Sequence, residues 1–88
     1  MSISSDTVQK AWNKATIVQG YDSNLWRQDQ CGAWIYRYSY GKTSEYGWEL
    51  DHITPKSKGG SDLLSNLRAL HWQNNRSKSD GRLVCVVP

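Results

Sequence analysis

Only two cysteines, Cys31 and Cys85, occur in the 88 residues, far apart and without a second Cys at Cys-x-x-Cys spacing. A structural zinc is therefore not expected. The two are read as small buried hydrophobes. A Cys31–Cys85 disulfide is the less favoured alternative, because nothing in the sequence points to an oxidising compartment. Phenylalanine is absent and aliphatics are sparse before residue 50, which excludes a conventional aliphatic core in the N-terminal half. No apolar run approaches the length of a membrane span. The opening MSISSDTVQK has neither a basic start nor an apolar stretch, so no secretory signal is read and a cytoplasmic location is expected. Repeats and low-complexity segments are also missing.

Five Trp and five Tyr take the place of the missing aliphatics. A chain of this length makes one domain, 1–88, and buries only about 60% of its unfolded surface. Aromatic side chains bury ~150–250 Å² each, so a handful can anchor a thin core. The net charge of +3 and pI near 9.0 suit a polyanionic partner without proving one. Distribution is more telling: Lys56, Lys58, Arg68, Arg76, Lys78 and Arg82 are six of the eleven cations, all after residue 55.

The pattern along the chain reads as α+β. A helix is expected over about 4–17, with Ser4 or Ser5 as N-cap, Asp6 at the positive end, and Val8, Ala11, Trp12 and Ala15 on one face. Alternation over Trp34–Tyr40, a turn at 41–44 and a strand from Tyr46 to Asp51 predict an antiparallel aromatic hairpin. Pro55 and Gly59-Gly60 make 53–62 a loop. Leu67–Leu70 reads as a short strand returning beside Trp48–Leu50. A helix follows over 71–80, closed by Gly81. The tail, 83–88, is strand-like.

Chemistry concentrates between Gly47 and Asp80, GWELDHITPKSKGGSDLLSNLRALHWQNNRSKSD. Asp51-His52 is followed by Asn66 fourteen residues on and Asn75 nine beyond that, with Arg76 and Lys78 directly behind. A carboxylate beside an imidazole, with an amide next to cations, suits phosphodiester hydrolysis at one metal ion. If Asp51 reaches Asn75 on the following helix, two hard oxygens make a half-filled site of the kind Mg²⁺ uses, the rest being water and substrate. An imidazole with an unperturbed pKa near 6.5 can accept a proton at neutral pH, provided an acceptor fixes its other nitrogen.

Asp51-His52, Ile53, Pro55, Gly59-Gly60, Asn66-Leu67, Asn75-Arg76 and Lys78 together resemble the HNH endonuclease motif, whose fold is called ββα-metal. The resemblance implies a strand, loop, strand and helix over 47–80, and a metal-dependent nuclease acting on nucleic acid, DNA preferred. His52 would be the general base and Asn66 the residue that fixes the loop around it. Asp51 and Asn75 would hold one divalent ion, Mg²⁺ first, with Mn²⁺, Ni²⁺ or Zn²⁺ as alternatives. Arg76, Lys78, Lys56 and Lys58 would meet substrate phosphate. Glu49 is either a second layer behind the metal or an ordinary cross-strand partner. Many family members also carry a zinc knuckle; its positions fall here near Gln28, Cys31, His71 and Asn74. His71 is therefore expected to pack or cap, and Trp72 to join the core. A non-catalytic nucleic-acid-binding module of the same fold is the competing reading, and a protein-interaction domain a third. Phosphate contacts position while base contacts specify, so so small a chain is expected to have low sequence specificity.

Overall fold

Ser4 accepts a hydrogen bond from the Thr7 amide at 3.2 Å and opens the first helix, α1 (Ser5–Trp12), in a computed structural model that describes residues 3–78 and 81–88. Asp6 sits at its positive end, and Val8, Ala11 and Trp12 turn inward. The helix ends at Trp12 rather than near residue 17. Buried Arg27 draws the carbonyls of Asn13 and Ala15 onto its guanidinium at 3.0 and 3.2 Å, and Thr16 exchanges backbone bonds with Gln28. The β-branched run Thr16, Ile17, Val18 offers little helix propensity against that pull.

The aromatic hairpin is displaced from its expected position. Strand β1 (Trp26–Gln28) pairs antiparallel with β2 (Trp34–Tyr36), placing Trp26 opposite Tyr36 and Gln28 opposite Trp34. The turn between them is made by a side chain: Asp29 Oδ1 accepts from the amides of Cys31 and Ala33, both at 2.9 Å, and Gly32 takes φ 87°. Beyond Tyr36 the chain leaves the sheet in a 3₁₀ turn, Arg37–Ser39. Ile35 points into the core, while Trp26, Trp34 and Tyr36 line the outer face with Tyr21, Tyr38 and Tyr46 in ring contact.

Strand β3 (Trp48–His52) instead pairs with β4 (Leu67–His71), the partner read from the sequence. Asp51 lies opposite Arg68 and His52 opposite Leu67. The core sits between α1 and this sheet, built from Val8, Trp12, Ile35, Trp48 and Ala69. The Trp12 and Trp48 rings meet at 5.2 Å, and each indole N–H reaches a carbonyl, Ser23 at 3.0 Å and Tyr36 at 2.8 Å. Helix α2 (Trp72–Arg76) follows β4 directly, with the His71 ring accepting from the Gln73 amide. It is shorter than the expected 71–80, whose last two residues lie outside those described.

Two further expectations fail at the C-terminus. Cys31 and Cys85 are not buried thiols but a disulfide, closing 54 residues of chain. The tail is no strand: Asn74 Oδ1 accepts from the amides of Val86 and Val87 at 2.8 and 2.9 Å, and Ser77 Oγ donates to the Val84 carbonyl. With its amides and carbonyls drawn to side chains, the segment cannot also form a ladder. Asn74 donates in turn to Asp29 Oδ2 at 3.0 Å, as does the His71 amide. The positions of a zinc knuckle thus hold a buried hydrogen-bond network beside a disulfide. Reducing Cys31–Cys85, or replacing both by alanine, is expected to lower stability by about 2–4 kcal/mol. Urea unfolding with and without reductant measures it, and an unchanged midpoint would contradict it.

Candidate active site

Side chains alternate along β3, and the two acidic groups come out on the face that α2 covers. Glu49 accepts from Asn75 Nδ2 at 3.0 Å and from the Arg76 guanidinium at 2.8 and 3.3 Å. Burial pushes the Glu49 carboxyl up, but the hydrogen bonds from Arg76 and Asn75 and the Arg76 charge outweigh it and leave the group below its ordinary range. Arg76 is raised by the same pairing, and its guanidinium lies over the Trp72 ring. Asn75 therefore donates to Glu49 rather than to Asp51.

Asp51 is only 3% exposed and carries a cation on each oxygen. Arg68 Nε reaches Oδ2 at 2.6 Å from across the sheet, its other arm on Gln30. Lys78 Nζ reaches Oδ1 at 2.5 Å and the His52 carbonyl at 2.8 Å. The sequence reading counted Arg68 only among the clustered cations, although the β3–β4 register puts it directly opposite Asp51.

His52 turns the other way, into the loop. Its Nε2 lies 2.7 Å from Asp62 Oδ1, and Lys56 Nζ holds the other oxygen at 3.2 Å. Those two hydrogen bonds, His52 first, keep the Asp62 carboxyl below its ordinary range. A carboxylate only accepts, so Nε2 carries a proton, and in the neutral ring the lone pair then sits on Nδ1. Both lowered carboxyls contribute stability above the unfolded carboxylate range; it is lost as pH falls through their depressed folded values. Asp62 was missed by sequence reasoning; its only signal was a carboxylate in the loop that Gly59-Gly60 opens.

Asn66 shapes that loop. Its amide accepts from Thr54 N at 2.8 Å and donates to the carbonyls of Thr54 and Ser61, while its own carbonyl takes the Ile53 amide. A Cβ on Gly60 would collide with the Thr54 carbonyl, which is why the turn needs glycine there. Lys56 and Lys58 sit on the 3₁₀ turn inside the loop. His71, with Nε2 on the Glu45 carbonyl, stays out of the site.

Among the described residues no three His, Cys, Asp or Glu side chains gather to hold a metal by themselves. Two oxygens that share Lys78, the Asp51 carboxylate and the His52 backbone carbonyl, are donors of the kind a hard ion that keeps much of its water uses, while the Asn75 amide rests on Glu49. The ammonium already rests on both, so the position takes positive charge.

A two-stranded antiparallel sheet crossed by a short helix, with Asp-His at the end of one strand and Asn on the helix, is a ββα nuclease motif. A family model described as HNH endonuclease matches residues 37–81, just over half of the chain, and the chain belongs to that family. Its members are generally phosphodiester-hydrolysing nucleases that act on nucleic acid, typically with a divalent metal. No curated protein and no solved structure matches the chain. Among the described residues no helix is long and apolar enough to cross a membrane.

Proposed function

We propose that the chain is a metal-dependent endonuclease that hydrolyses DNA phosphodiester bonds with low intrinsic sequence specificity. The observation that carries this reading is the His52 imidazole, held by a carboxylate partner beside a buried carboxylate within the family's matched segment. Nδ1 of His52 takes the proton of the attacking water, and Asp62 stabilises the imidazolium that forms. Asn66 holds the loop that carries Asp62, so it acts on the base by positioning. Asp51 and Asn75 would hold one divalent ion, Mg²⁺ first and Mn²⁺, Ni²⁺ or Zn²⁺ as alternatives, with Glu49 behind them. Bound there, such an ion would supply Lewis-acid polarisation of a phosphate oxygen and charge stabilisation for the leaving oxygen. Arg76 offers a fork of donors to phosphate, and Lys78, Lys56 and Lys58 point charges.

The Cys31–Cys85 disulfide argues against a cytoplasmic location, since disulfides are rare in the cytosol. One observation favours the competing non-catalytic nucleic-acid-binding module: both oxygens of Asp51 are already paired. Supercoiled plasmid incubated with the purified chain and Mg²⁺ or Mn²⁺ separates the two. Nicked or linear product, absent with His52→Ala, supports the enzyme. Salt-sensitive binding without cleavage in any divalent ion supports the module.

The Asp62 contact carries its own prediction. Asp62→Asn can present an NH₂ to Nε2, moving the ring proton to Nδ1 and removing the base. Cleavage is expected to slow by about 10²-fold or more, with the ring tautomer read directly from ¹⁵N chemical shifts. An unchanged rate with an unchanged tautomer would strip Asp62 of the role.

A further inference from the structure

We propose that Lys78 is the resident cation of the metal site: its ammonium occupies the place on Asp51 that a hard divalent ion takes, and loading the site exchanges one for the other. The inference rests on Asp51 being a metal ligand. Asp51 is 3% exposed, and a carboxylate so buried cannot stand unpaired. Its charge is met twice, by Arg68 on Oδ2 and by Lys78 on Oδ1. Two such cations and a divalent ion cannot crowd one carboxylate, because like charges at that range repel strongly.

The two cations differ in what holds them. Arg68 springs from the second residue of β4, directly opposite Asp51, and its other arm is anchored on Gln30. A second side-chain partner ties its guanidinium in place. Lys78 stands just past the end of α2, and its contacts are Asp51 and the His52 carbonyl. It is a compact point charge on a flexible four-carbon stem, the kind of group that can swing away intact. Its two acceptors are a carboxylate and a carbonyl oxygen, the donor types hard divalent ions prefer. Exchange also frees an ammonium that phosphate can meet. Metal entry and phosphate capture are thereby coupled through one side chain.

Apparent affinity falls by the fraction of time a site is open, so a Lys78 pairing that leaves Asp51 free about a tenth of the time weakens metal binding about tenfold. Calorimetric titration with Mn²⁺ and with Mg²⁺, in the full chain without DNA, should show about tenfold tighter binding in Lys78→Met. Lys78→Arg, which keeps the charge, should bind no more tightly than the native chain. In the native chain, the ¹³C and ¹H shifts of the Lys78 ε-methylene should move in step with Mg²⁺ occupancy. Those of Lys10, paired with Asp6 on the surface of α1, should not. Native binding that is unchanged or weakened in Lys78→Met would overturn the exchange and leave the metal assignment intact. Absence of binding in every variant would remove both. Should Lys78→Met fail to fold, a static Lys78 methylene during native titration would be decisive against the proposal.

Discussion

Relaxation of supercoiled plasmid by the His52→Ala chain in Mg²⁺ is expected to run about 10²–10⁴-fold slower than by the native chain, the range a general base supplies. No other imidazole can take over. The chain has only one more histidine, and His71 is buried with Nε2 on the Glu45 carbonyl and Nδ1 accepting from Gln73. The loss should fall on the chemical step. Arg76, Lys78, Lys56 and Lys58 are untouched by the substitution, so DNA affinity and its salt dependence should stay close to native. Stability should also change little, since Asp62 keeps Lys56. Single-turnover cleavage and binding isotherms, run side by side, separate these effects. A proportionate drop in affinity would mean that His52 holds DNA rather than activates water. Restoration of cleavage by added imidazole would point to the missing base directly.

The β3–β4 pairing was legible because two apolar stretches flank a loop marked by Pro55, Gly59 and Gly60, and because a ββα motif fixes their order. The first hairpin was not. Its strands are three residues each, too short to show a period. Its turn depends on the Asp29 carboxylate, with no Asn-Gly or similar dipeptide to announce it. Meanwhile 41–44 had the composition of a hairpin turn, yet only a single parallel bridge, Tyr40 to Trp48, forms there. For the candidate site, Asp51, His52, Asn66 and Asn75 were proposed from their spacing together with the resemblance to the HNH motif. What each one touches could not be read that way. Arg68 was within reach, since the register that sets Trp48 against His71 also sets Asp51 against Arg68. Asp62 and the Lys78–Asp51 contact depend on how the loop and the end of α2 fold back, which no local pattern encodes. The disulfide was passed over on an argument about compartment, and geometry between residues 54 apart lies outside any such argument.

Asp29→Ala is expected to destabilise the chain more than any single change around the disulfide, by about 4 kcal/mol or more. Four donors converge on this one side chain: the amides of Cys31 and Ala33 on Oδ1, and the His71 amide and Asn74 Nδ2 on Oδ2. Asp29 is 3% exposed and Asn74 fully buried, so water cannot replace the lost acceptor without opening the fold. Each buried donor left unpaired costs about 1–3 kcal/mol. A small domain has only ~5–15 kcal/mol in total, so the variant should melt near room temperature or be partly unfolded in urea-free buffer. Asn74→Ala should cost less, about 2 kcal/mol, because the Val86 and Val87 groups it holds belong to an exposed tail that can turn to solvent. Asp29→Asn keeps the volume but sets an amide donor against two of the four donors, and should fall between the two. Cleavage should disappear with the fold, since the His71 amide fixes the β4–α2 junction that carries Asn75 and Arg76 to the site. A loss under about 1 kcal/mol in Asp29→Ala, measured by urea unfolding, would mean that the disulfide from Cys31 to the C-terminal tail suffices to hold the turn of the first hairpin.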